Sequence, residues 1–75
     1  MNEVKSINSS NLEEASYDSG DGQMIVTFKN GMKWRYFDVP AEIWTGFTKT
    51  VSDGGSVGKY FHANIRHRRS EKVEE

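Results

Sequence analysis

The stretch from Gln23 to Phe37, QMIVTFKNGMKWRYF, constrains this chain more than any other. Runs of apolar residues flank Lys29-Asn30-Gly31, the pattern of a β-hairpin with one buried face. Loop length decides which side chains share that face. A two-residue Asn-Gly loop would set Phe28 against Lys33 and Val26 against Arg35, and a half-buried sheet resists pairing its apolar face with its charged one. A three-residue loop, Lys29 to Gly31, sets Phe28 opposite Met32, Val26 opposite Trp34 and Met24 opposite Tyr36. All of these apolar residues then fall on one side. The predicted turn is type I, with Gly31 in the left-handed region as a bulge, where a missing Cβ removes the steric penalty.

The flanking segments extend this hairpin. Leu12 to Tyr17 reads as a preceding strand, and Asp18-Ser19-Gly20-Asp21-Gly22 as the turn between. After Asp38-Val39-Pro40, which suits a helix start, Ile43, Trp44, Phe47 and Val51 form one apolar stripe at helical spacing. Ser52-Asp53-Gly54-Gly55 ends that helix. A second, short helix is predicted from about Val57 to Arg66, with Val57, Phe61 and Ile65 as its stripe and Tyr60 beside it. The predicted class is α+β: a three-stranded antiparallel β-meander with two C-terminal helices packed on one face. Its domain runs from 12 to 66. Residues 1–11 are polar apart from isolated apolar positions and are expected to form a flexible arm. The charged tail, 67–75, is expected to be disordered.

With 75 residues there is room for one small core, and with no Cys there is neither a disulfide nor a thiolate metal site to support it. Packing must hold the fold. No apolar run approaches the roughly 20 residues of a membrane span, and the start MNEVKSINSS has no leader pattern. A soluble cytoplasmic monomer is therefore expected, in the host cytoplasm if a phage encodes it. Net charge is -1, which disfavours an overtly basic nucleic-acid binder. The charge is uneven, however. Met1 to Gly22 is acidic, whereas Lys59, Arg66, Arg68 and Arg69 form a basic stretch that contains no acid.

The segment Gly55 to Phe61, GSVGKYF, invites comparison with a phosphate-binding P-loop. The comparison fails: Asp53 stands where the first glycine belongs, Tyr60 where a small hydroxyl should hold magnesium, and no strand leads in. The plainer reading is a helix start, with Ser56 placed to cap it. His62 and His67 are five apart, which puts them on different helix faces, and no third ligand is evident. Asp18 to Gly22 lacks the distant glutamate of a calcium loop. No nucleophile motif occurs. The expectation is a non-enzyme without cofactor or metal.

That leaves binding. Trp34 and Tyr36 share the face of Val26 and Phe28 and are read as core. Phe37 lies on the other face with Ile25, Lys33 and Arg35, a mixed apolar and basic surface that suits a partner. The expected partner-binding residues are Lys33, Arg35, Phe37, Lys59, Arg66, Arg68 and Arg69.

Ser9-Ser10, Leu12, Tyr17-Asp18, Val26-x-Phe28, Gly31, Trp34-x-Tyr36, Val39-Pro40 and Ser56-x-Gly58-Lys59-Tyr60-Phe61-x-x-x-Ile65-Arg66 together resemble the KTSC domain. That small domain occurs at the C-terminus of some lysyl-tRNA synthetases and as stand-alone bacterial and phage proteins. The resemblance spans about Ser9 to Arg66. It implies a non-catalytic domain with RNA as a candidate ligand, and it brings no catalytic residues. Two expectations follow. The first is a bacterial or phage regulator docking on the transcription machinery, RNA polymerase, by protein–protein contact. The alternative is an RNA-binding module holding phosphates through its basic C-terminal helix, with Lys33 and Arg35 extending the track and the acidic end of the chain masking it.

Overall fold

The structure is a computed structural model and describes residues 2–4, 7, 9 and 11–73. In chain order the elements are β1 (Asn2–Val4), β2 (Leu12–Asp18), β3 (Gln23–Phe28), β4 (Lys33–Tyr36), α1 (Ala41–Ser52), α2 (Val57–Asn64) and β5 (Ser70–Val73). The strands form one antiparallel sheet in the order β1-β2-β3-β4-β5. Both helices contribute rings to one face: Trp44 of α1 stacks on Tyr17, and Phe61 of α2 meets Phe28 and Tyr36 edge-on. The class is α+β, as the sequence implies.

The central hairpin has the three-residue loop that face matching demands. Val26 pairs with Trp34 and Met24 with Tyr36. The Phe28 amide donates to the Met32 carbonyl at 2.8 Å, and the Gly31 amide to the Phe28 carbonyl at 2.9 Å. Gly31 has φ 90°, and the Asn30 side-chain oxygen accepts the Met32 amide at 2.9 Å. One-sided burial therefore selected the turn, rather than the Asn-Gly pair taken alone.

The sheet has five strands where the sequence suggests three. The extra two come from the segments read as a flexible arm and a disordered tail. On one side, β1 pairs with β2, and Ile7 is buried with its amide donating to the Glu13 carbonyl at 2.9 Å. On the other, β5 pairs with β4, and Glu71 meets Arg35. Edge strands need no apolar alternation, since the backbone ladder and a few cross-strand pairs hold them. Their sequences, NEV and SEKV, carry almost no pattern to read.

The core lies between the sheet and the helices. Phe47, Leu12, Met24, Ile65, Val26 and Val39 are its largest fully enclosed side chains. The Tyr17 hydroxyl reaches across it to donate to the Val39 carbonyl at 2.6 Å, tying β2 to the connection between β4 and α1. In that connection Asp38 has φ 58°, and its carbonyl accepts Arg68 Nη1 at 2.9 Å. The helices meet where Tyr60 donates to the Ile43 carbonyl at 2.9 Å, over Gly46.

Two details of α2 depart from expectation. Ser56 holds the N-cap position, but its hydroxyl makes no capping hydrogen bond. The helix also ends at Asn64, and Arg66 follows in a turn, with its amide donating to the Phe61 carbonyl at 2.9 Å.

Candidate functional site

The seven residues expected to bind a partner do not form one surface. Arg35 lies on the face of the sheet away from the helices, where its Nη1 pairs with Glu71 at 2.6 Å. Its Nε is enclosed and has no partner among the described residues. Lys33 shares that face, beside a shallow depression of about 260 Å³ that also takes in Glu14, Ile25 and Val73. Phe37 continues the row, and the Arg69 guanidinium covers its ring at 4.5 Å. Arg68 donates to the carbonyls of Asn64 and Asp38 at 2.8 and 2.9 Å, so it acts as a helix-end brace. Lys59 is exposed on α2. The continuous basic track imagined from the sequence is therefore broken up: three of its arginines are committed within the fold.

The seventh residue, Arg66, lies elsewhere, at the mouth of a groove of about 820 Å³ between α2 and the uncovered end of the sheet. Phe28, Trp34, Tyr36 and Phe61 form its aromatic floor, and Lys29, His62 and Arg66 its polar rim. No carboxylate from the described residues lines it. The cause is geometric. The eight residues of α2 make only about 12 Å of helix, whereas five strands at about 4.8 Å spacing span about 19 Å. The side of β4 next to β5 thus keeps its aromatic face open, and Trp34, on the core side as expected, is only half-buried there.

Gly58 on α2 also lines the groove, and Asn30 and Lys29 bring in the hairpin turn. GSVGKYF thus resolves as the first turn of α2, preceded by α1 and not by a strand. Arg66 is steadied by His62, one turn earlier on α2, with Nη1 and Nδ1 3.1 Å apart. Tyr36 sits deepest. It is 5% exposed, and burial raises its pKa above the ordinary value near 10 despite the opposing charge of Arg66, so its hydroxyl remains protonated at neutral pH.

Sequence reasoning missed Trp34, Tyr36, Phe28, Lys29 and His62 as a set. Periodicity tells which side of a sheet a residue faces, but not whether another layer covers that side. The sequence held no readable signal for it, because the width of the sheet depends on β1 and β5, whose residues carry almost no pattern.

The KTSC domain family model matches residues 8–68 of the chain. Among solved structures, the chain is similar to the crystal structure of a KTSC domain protein from Yersinia pestis, with a TM-score of 0.81 over 97% of each chain at 21% identity. At that identity the likeness concerns the fold. No curated protein matches the chain.

Proposed function

The chain belongs to the KTSC domain family, and on that premise we propose that it is a small non-catalytic binding protein that docks by protein–protein contact. The bacterial or phage transcription machinery, RNA polymerase, is the first partner to test. The observation that carries the binding reading is the groove: an aromatic floor left uncovered beside α2, with a basic rim and no described carboxylate. Buried aromatic anchors with polar rims are where binding energy concentrates in protein interfaces. Lys29 and Arg66 are the formal cations on the groove, too few to follow an extended phosphate backbone. The protein acts as a cytoplasmic monomer in this proposal.

The combination of aromatic rings and cations also favours a second reading, single-stranded RNA stacked on Trp34 and Phe28. Salt separates the two. With two cations engaged, RNA affinity falls with a log–log salt slope of about -1.4, whereas an apolar-anchored protein contact changes less. Immobilised bacterial RNA polymerase and a 12-nucleotide single-stranded RNA are titrated in parallel with wild type and Trp34→Ala. Docking in the groove requires polymerase binding that Trp34→Ala weakens at least tenfold. Binding of RNA alone overturns the protein reading; equal binding by both proteins removes the groove from it.

A further inference from the structure

The floor of the groove holds a polar group that the fold itself does not use. The Tyr36 hydroxyl makes no hydrogen bond to any described residue, although the residue is 5% exposed. Among the described residues the one enclosed side-chain polar atom without a partner is Arg35 Nε. The Tyr36 hydroxyl therefore opens onto space, and the cavity Tyr36 lines is the groove. The other tyrosine hydroxyls behave differently: Tyr17 donates to Val39 and Tyr60 to Ile43. The Tyr36 hydroxyl is thus exposed to the groove and free to donate to a ligand there.

From this geometry we infer a carboxylate-recognition subsite in the groove, made by the Tyr36 hydroxyl and the Arg66 guanidinium with His62 positioning the arginine, which takes an acidic side chain or C-terminus of a polypeptide. This rests on the reading of the groove as a docking site and names what it recognises. Arg66 is close enough to Tyr36 for its charge to act on the phenol, and both line the same cavity. His62 Nδ1 faces Arg66 Nη1 and limits its swing. Tyr36 keeps its proton at neutral pH and so enters as a donor. One neutral donor beside one guanidinium matches a single negative charge, and a guanidinium's parallel N–H groups suit the two oxygens of a carboxylate. A phosphate chain needs further cations, and Arg35, Arg68 and Arg69 are held at Glu71, at backbone carbonyls and on Phe37. Trp34 and Phe28 sit in the same groove, so the recognised unit is a carboxylate next to an aromatic or aliphatic side chain.

The minimal probe is 3-phenylpropionate, with 3-phenylpropionamide as its uncharged counterpart and inorganic phosphate as a third arm. Amide chemical shifts of the labelled full chain are followed on titration to 20 mM. The expected result is saturable shifts at Trp34, Tyr36 and Arg66 with the carboxylate, and at least about tenfold weaker binding of the amide, as for a lost hydrogen bond to a charged group. Tyr36→Phe, which keeps the ring in place, weakens the carboxylate about tenfold, Arg66→Gln at least as much, and Lys49→Gln on α1 not at all. Equal binding of amide and carboxylate, an unaffected Tyr36→Phe variant, tighter binding of phosphate, or no saturable shift each overturns the subsite. A partner interaction that needs Trp34 but ignores Tyr36→Phe removes the subsite and leaves groove docking standing. Probe binding without polymerase binding does the reverse.

Discussion

Tyr17 and Tyr36 are both core residues, but only the Tyr17 hydroxyl is bonded within the fold, so removing the two hydroxyls should affect stability very differently. Tyr17 is 3% exposed, and its hydroxyl donates to the carbonyl of Val39, itself 1% exposed, at 2.6 Å. In Tyr17→Phe the ring remains against Trp44, but the Val39 carbonyl is left buried and unpaired. A net hydrogen bond contributes about 0.5–1.5 kcal/mol, and an orphaned buried acceptor costs about 1–3 kcal/mol. The expected loss is therefore about 2 kcal/mol. For a domain of this size, that lowers Tm by about 8–16 °C. Tyr36→Phe removes a hydroxyl that no described residue accepts. Its expected effect is within about 0.5 kcal/mol of zero, because the hydroxyl opens onto the groove and no partner in the fold is lost. Urea unfolding followed by circular dichroism measures both, with an unchanged m-value showing that the denatured state is unaltered. Equal destabilisation by the two variants, or a Tyr17→Phe loss below about 0.5 kcal/mol, would refute the assignment of one hydroxyl to the fold and the other to the groove.

Gly46→Ala should destabilise by about 1–3 kcal/mol through overpacking, because an added Cβ would meet the Tyr60 hydroxyl and lie 2.9 Å from its Cζ; thermal melts with and without Tyr60→Phe test this. Glu71→Gln breaks a partly exposed ion pair and should cost at most about 1 kcal/mol, vanishing in high salt, whereas truncation after Arg69 also removes the β5 ladder and should expose the β4 amides to hydrogen exchange. Burial raises the pKa values of Tyr36 and Tyr60 above their ordinary value of 10.0. The unfolded chain therefore releases these protons first, so stability is intact below about pH 10 and falls as pH rises further, with a shallower fall in Tyr36→Phe. Urea midpoints between pH 8 and 11 measure that slope.

The sequence alone determined the hairpin at the centre of the sheet. Val26, Trp34, Met24 and Tyr36 share a face only if the loop has three residues, and Gly31 can occupy the bend that this requires. The stripes Ile43-Trp44-Phe47 and Val57-Phe61-Ile65 likewise declared two helices, because burial on one side imposes a period that a reader can count. Tertiary structure decided the rest. Asn2–Val4 and Ser70–Val73 became edge strands because β2 and β4 offered unpaired backbone, a property of the assembled sheet that neither short segment encodes in its side chains. The same widening of the sheet left Trp34 half-covered and the Tyr36 hydroxyl open, while Glu71, Phe37 and two backbone carbonyls took up the arginines that had looked available. Local patterns record which way a side chain faces; coverage and charge pairing depend on distant segments arriving at the same place, and that information exists only once the chain has folded.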